Sequence, residues 1–130
     1  MNNQKNIVLC GVGGQGTVLA SKLLAAAAMS KDIPVMSAET IGMAQRGGSV
    51  FSHLRMGDNL YSPMIETATA DLIIGFEPGE TVRMLPYLKG HGHIVVSTRA
   101  VKPVTATLSG SDYDAPQMLE YLKAAVPNLT

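Results

Sequence analysis

The sequence holds a single cysteine, Cys10, and no excess of charge of either sign. One thiol cannot close an internal disulfide, so nothing points to an oxidising compartment, and a cytoplasmic location is expected. One thiol also cannot hold an iron–sulfur cluster or a structural zinc, which take about four ligands. Ten Lys and Arg residues balance ten Asp and Glu residues. A nucleic-acid binder needs a positive face, and so does a protein that holds acidic lipids; neither is expected here. Long apolar runs are missing too. The stretch Val18–Met29 is broken by Ser21 and Lys22 and is too short to span a bilayer. The polar start Met1–Asn6 lacks the basic region and long apolar stretch of a signal peptide. No internal repeat or low-complexity tract is present.

What remains is a chain of 130 residues, 46% hydrophobic, enough for one domain with a core. Ile7–Cys10 is a short apolar run ending in glycines, the pattern of a strand buried on both faces. A loop follows over 11–16, and Thr17–Ser30 reads as a helix. Leu19, Leu23, Ala26, Ala27 and Ser30 recur at helical spacing, with Ala20, Leu24 and Ala28 beside them, so this helix is expected to pack tightly on the sheet. Ile33–Met36 begins a second strand that closes near Glu39. Residues 49–56 alternate, with Val50, Ser52, Leu54 and Met56 on one face, which indicates a strand. Gly57–Asn59 is a turn, and Leu60–Ser62 is expected to pair back as a hairpin.

Ala70–Phe76 is another buried strand. Pro78–Leu88 reads as a helix, with Pro78 in its first turn and Pro86 bending or shortening its end. Gly92 is expected to turn into a strand at 94–97. Val104–Ala106 suits a short edge strand, and Ala115–Ala125 a last helix with Met118, Leu119, Leu122 and Val126 inward and Asp114 as its N-cap. Together these elements predict a three-layer, Rossmann-like α/β sandwich with a mainly parallel sheet and a hairpin near 49–62. The chain reads as one domain over 1–130. Its end, a helix followed by Pro127–Thr130, falls where an alternating fold would start another strand, so a continuation past Thr130 is expected in the natural protein.

Two segments carry candidate chemistry. Gly11-Val12-Gly13-Gly14-Gln15-Gly16 fits G-x-G-x-x-G between a strand and a helix. Gly11 permits a tight turn, Gly13 a close approach, and Gly16 the packing of helix on strand. The helix N-terminus suits a phosphate or a carboxylate, and Glu39 would bind ribose hydroxyls if the ligand were a dinucleotide. The alternative is that the glycines only shape a tight joint and Glu39 is a loop or interface residue. The second segment, Glu39–Arg55, concentrates Met43, Gln45, Arg46, Gly47, Gly48, Ser49 and His53. Arg46 offers a planar fork for a carboxylate or phosphate, and Gln45 both donates and accepts. A solvated loop with one surface arginine explains the same composition.

Three other residue sets invite attention. His91-Gly92-His93 lacks a third ligand nearby and reads as a turn. His53 reads as a hydrogen-bonded structural histidine. Cys10 reads as a buried, inert thiol.

The glycine loop with the helix start Thr17-Val18-Leu19-Ala20 resembles the gamma component of 2-oxoacid:ferredoxin oxidoreductases. Glu39, the run Gly42-Met43-Ala44-Gln45-Arg46-Gly47-Gly48-Ser49-Val50 and His53-Leu54-Arg55 resemble the small beta subunit of indolepyruvate oxidoreductase, and Asp71–Pro78 suits the same family. The resemblance covers essentially the whole chain and stops short of such subunits' usual length. It implies a part in oxidative decarboxylation of a 2-oxoacid, with coenzyme A and ferredoxin as co-substrates. Thiamine diphosphate and iron–sulfur clusters would reside in a large partner subunit, ferredoxin would be met through that subunit, and this chain would not be active alone. No cofactor is assigned to this chain itself. The loop Gly11, Gly13, Gly14, Gln15, Gly16 would face a coenzyme A phosphate or another subunit. Glu39, Met43, Gln45, Arg46, Gly47, Gly48 and Ser49 would form the inter-subunit contact. An independent nucleotide-binding module and a pure assembly module are the alternatives.

Overall fold

A computed structural model describes residues 4–41, 49–99 and 115–130. Strand β1 (Lys5–Val12) leads through the glycine loop into helix α1 (Thr17–Ser30), and β2 (Val35–Ile41) and β3 (Ser49–Met56) follow. Then come β4 (Ala70–Gly75), the short helix α2 (Pro78–Arg83), a 3₁₀ turn (Leu85–Tyr87), β5 (Leu88–Val96) and helix α3 (Ala115–Ala125). The strands form one sheet in the order β2-β3-β1-β4-β5. β1, β4 and β5 pair in parallel, while β3 runs antiparallel to both of its neighbours, β1 and β2. Four of the five strands therefore point one way and β3 is reversed.

Two opposite faces of this sheet carry helices. α1 packs on β1, β2 and β3; α2 packs on β1 and β4, with α3 against α2. Successive residues of β1 serve the two sides, as strand geometry requires. Val8 and Cys10 join Ile73, Ile94, Met84, Leu122 and Val126 in one buried cluster. A side chain at Gly11, pointing the other way, would meet Thr17 of α1. The expected three layers are present.

Several local expectations need correction. Leu60–Ser62 is not a strand; the antiparallel partner of 49–56 on the hairpin side is β2, from Val35↔Met56 to Ile41↔Val50. β5 begins at Leu88, so His91-Gly92-His93 lies within a strand and not in a turn. The pairing of β4 with β5 shifts register between Ala70 and Leu72. α2 ends at Arg83, earlier than the expected Leu88. Pro86 lies in the 3₁₀ turn that replaces the helix end, because proline cannot donate the backbone bond that would extend it. Helix α1 packs on the sheet through a narrow stripe of small residues. Thr17, Ser21 and Ala28 face the sheet, while Leu19 and Leu23 are about 60% exposed. A helix apolar around its whole girth has no preferred face, so its rotation is left to the loop that starts it. Asp114 and the strand expected at 104–106 lie outside the described residues.

The last residues extend the sheet. Ile94 N–H donates to Asn128 O (2.9 Å), Thr130 N–H to Ile94 O (2.8 Å), and Val96 N–H to Thr130 O (3.0 Å). Leu129 thereby forms an isolated parallel bridge with Ile94.

His53 is buried in β3, and its Nδ1 accepts the Ile65 backbone N–H at 2.8 Å. Its proton is therefore on Nε2, which has no polar partner among the described residues. The ring packs between Phe51 and the edge-on ring of Tyr87. Burial holds its pKa below the ordinary 6.5.

Two predictions follow from this packing. The unfolded chain takes up a proton at His53 more readily than the folded one. The stability linked to this residue is thus complete above about pH 6.5 and is lost as pH falls below it. Urea titrations across pH 5–8 should show a slope that is reduced in His53→Leu; an unchanged slope would contradict the assignment. A Cβ at Gly75 would lie 1.8 Å from Thr81 Oγ1. Gly75→Ala should therefore cost about 1–3 kcal/mol or more of stability by the usual penalty for overpacking, measured by chemical denaturation.

Candidate functional site

At the C-terminal end of the sheet, β1 leads into α1 on one face and β4 leads into α2 on the other. A divergence of this kind opens a crevice, the usual ligand position in open α/β sheets. Here the crevice is bridged by Gln15. Its Oε1 accepts the Val12 N–H at 2.7 Å, and its Nε2 donates to Phe76 O at 3.1 Å. One side-chain amide thus ties the glycine loop to the turn after β4. A second link lies alongside, from Phe76 N–H to Cys10 O (2.8 Å).

The glycines follow from this closure. A Cβ on Gly11 would stand 2.7 Å from Thr17 Oγ1, 2.8 Å from Gln15 Oε1 and 3.0 Å from Phe76 Cβ. Gly11 is thus hemmed in by the protein's own loops. Gly14 and Gly16 adopt φ of +94° and +90°, the left-handed region that glycine enters without steric cost. Gly16 is the N-cap of α1, and no side chain caps that helix. A cavity of about 340 Å³ opens there, lined by Val12, Gly13, Gly14, Gly16, Thr17, Val18, Leu19 and Val50. Among the described residues its lining contains no charged side chain. Backbone donors at the helix start could meet a phosphate or carboxylate edge, and the apolar lining could equally receive a side chain of another protein.

Glu39 is exposed on edge strand β2, paired with Ser52 of β3. In the dinucleotide arrangement the acidic strand end lies beside β1. Here β3 is interposed, so Glu39 is two strand spacings away, roughly 10 Å at the usual separation of about 4.8 Å, and it is absent from the cavity lining.

The residues expected at a subunit contact divide. Glu39 and Ser49 stand in β2 and β3 near this end of the sheet; Met43, Gln45, Arg46, Gly47 and Gly48 lie outside the described residues. The Ser49 hydroxyl turns inward. It donates to Glu80 Oε1 at 2.9 Å and accepts from Arg83 Nη1 at 2.8 Å. The Glu80 residue is 3% exposed, and burial raises its pKa. Glu77, fully buried, caps α2 by accepting the Glu80 N–H at 2.9 Å. Nothing local in the sequence marks Glu80 or Arg83; Glu77 preceding Pro78 is the signal for the helix start.

Cys10 lies below this cluster, buried, and burial pushes its thiol up to about 12. It is the inert thiol expected. No group of three or more His, Cys, Asp or Glu residues suited to a metal occurs among the described residues.

The layers, the mixed sheet and the glycine joint define a Rossmann-like α/β domain. Residues 6–126 match the family model described as pyruvate ferredoxin/flavodoxin oxidoreductase, and the chain belongs to that family. It is 41% identical over 108 residues to indolepyruvate oxidoreductase subunit IorB of Methanothermobacter thermautotrophicus, covering 83% of this chain and 55% of that one. It is 38% identical over 125 residues to the same-named subunit of Archaeoglobus fulgidus, covering 95% and 62%. The chain thus spans somewhat over half the length of these relatives. Among solved structures, 2-oxoglutarate:ferredoxin oxidoreductase from Magnetococcus marinus, with 2-oxoglutarate, coenzyme A and succinyl-CoA bound, shares the fold. The TM-score is 0.66 at 18% identity, with 88% of this chain and 18% of that one covered.

Removing the Gln15 amide leaves the Val12 N–H and the Phe76 carbonyl without these partners. Gln15→Ala should cost about 1–3 kcal/mol. Gln15→Glu should be no better, because a carboxylate oxygen would then face the Phe76 carbonyl. Denaturation midpoints unchanged in both variants would show that the bridge contributes nothing.

Proposed function

We propose that this chain is the small, gamma-type subunit of a 2-oxoacid:ferredoxin oxidoreductase, acting on an aryl pyruvate such as indolepyruvate. The single observation that carries the division of labour is the scarcity of redox ligands. A domain of an oxidoreductase family holds one thiol, buried and strongly resistant to ionisation. These residues do not fit an iron–sulfur cluster, which takes about four ligands. In this reading, electrons released when the 2-oxoacid loses carbon dioxide and its acyl group passes to coenzyme A travel outside these 130 residues, through a partner. That partner is a large subunit bearing thiamine diphosphate and the clusters, and ferredoxin is reached through it. The relatives named as indolepyruvate oxidoreductase subunits support the substrate class.

In this reading the chain contributes shape and contacts. The Gln15 bridge holds the two loops at the sheet end in fixed relation, and the connection between β2 and β3, with Glu39 and Ser49 at its borders and Gln45 and Arg46 within it, meets the large subunit. The glycine loop meets either a coenzyme A phosphate or that subunit. Its filled crevice and uncharged lining favour protein. The G-x-G-x-x-G spacing and the uncapped start of α1 favour an independent nucleotide-binding module. The complex is proposed to be cytoplasmic; no helix among the described residues is long and apolar enough to cross a membrane.

Co-expression with a large thiamine- and cluster-bearing subunit should yield a stable complex that reduces ferredoxin with indolepyruvate and coenzyme A. The isolated chain should show no turnover. Turnover by the isolated chain would refute the partner requirement.

A further inference from the structure

Helix α1 carries its side chains the wrong way round for a surface helix. Those it buries, Thr17, Ser21 and Ala28, are small. Its large apolar side chains face water: Leu19, Leu23 and Met29 are 61%, 63% and 65% exposed, and Ala26, Ala27 and Ser30 are exposed beside them. Lys22 is the only charged residue in the helix. A contiguous apolar surface of this kind marks a contact with another protein. We propose that this face of α1 binds the same face of a second copy of the chain, antiparallel, about a two-fold axis.

The spacing of the stripe names the occupant. Leu19, Leu23, Ala26 and Ser30 succeed one another at intervals of four, three and four residues, the spacing that keeps a seam turned toward one partner helix. Four-three-four reads the same in both directions. A two-fold contact requires that, because where residue i of one copy meets residue j of the other, j also meets i. Antiparallel pairing centred between Leu24 and Ala25 sets Leu19 against Ser30 and Leu23 against Ala26. Each leucine then meets a small residue, whereas a parallel pair would stack leucine on leucine and leave a gap at the Ala26–Ser30 end. The Ser30 hydroxyl donates to Ala27 O at 2.7 Å within its own helix, so it brings no unpaired donor to the seam. Lys22 falls opposite Ala27, so no like charge stands across from it. Met29 is seven residues from Lys22 and eleven from Val18, which puts all three on one side of the helix. The axis sets Met29 of one copy between Val18 and Lys22 of the other, where a flexible thioether can lie along the apolar stem of the lysine. Equal numbers of acidic and basic residues leave no net repulsion between copies. The helix has 14 residues, a length of about 21 Å. One such pair buries less than the roughly 800 Å² per partner of a standard interface, so the dimer is a weak one. The contact needs no large subunit and stands apart from the reading above.

Sedimentation of the purified full chain tests the proposal. Between about 10 micromolar and about 1 millimolar, where a contact below standard size dissociates, the mass should rise from one copy toward two. Leu23→Lys, at a water-facing position, should raise the half-dimer concentration about tenfold or more by removing two leucine contacts across the axis. Its melting temperature at low concentration should stay that of wild type. Orientation is read by cross-linking with a short bis-maleimide, since Cys10 is buried. Leu19→Cys should link to Ser30→Cys when the two variants are mixed. It should not link to itself, because antiparallel pairing leaves the two copies of residue 19 about 16 Å apart along the helices. A wild-type chain that stays single throughout overturns the proposal, and so does a stripe that becomes covered only when a large subunit is added. Self-linking of Leu19→Cys, or a dimer that Leu23→Lys leaves intact, overturns it as well.

Discussion

The placement of β3 governs the rest of the molecule. Running antiparallel between β1 and β2, it takes hydrogen bonds from both sides along its length. Its alternate residues serve both layers. His53 and Phe51 face the α2 side, where His53 reaches the Ile65 backbone, while Leu54 is buried on the side covered by α1. Because β3 stands where the second parallel strand of a dinucleotide fold would stand, Glu39 is carried outward to the sheet edge. The same glycine spacing that marks a nucleotide loop elsewhere is left here without its ribose-binding acid. Gln15 completes the change by occupying the divergence between the β1 and β4 loops.

Much of this fold is legible in the residues. β1, β4 and α3 fall where apolar runs and helical spacing put them, and β3 shows the alternation of a strand with two differently packed faces. Leu129 makes a single parallel bridge to Ile94 of β5. What could not be read is pairing. Nothing local says which of β2 and Leu60–Ser62 pairs with β3, since a glycine-containing connection separates each from it. The rotation of α1 was equally hidden: with apolar residues on every side, spacing alone cannot choose between the Leu19–Leu23 stripe and the Thr17–Ser21–Ala28 stripe.

The candidate site shows the same division. Its glycines, and the concentration of polar groups from Glu39 to Arg55, stand out in the sequence. The roles of individual side chains do not, because their partners are distant. Gln15 reaches Phe76 across 61 residues, and Ser49 reaches Glu80 and Arg83 across 31 and 34. A glutamine inside a glycine loop reads as a ligand group until the carbonyl it satisfies is known. Gly11 likewise reads as room for a ligand, while in the folded chain that room is taken by Thr17, Gln15 and Phe76.

The central claim is that this glycine loop is a joint closed by the protein itself. Calorimetric titration of the purified chain with NAD examines that claim most directly. A closed joint with Glu39 displaced to the sheet edge gives no saturable heat. Tight, stoichiometric NAD binding that disappears in Glu39→Ala would contradict it.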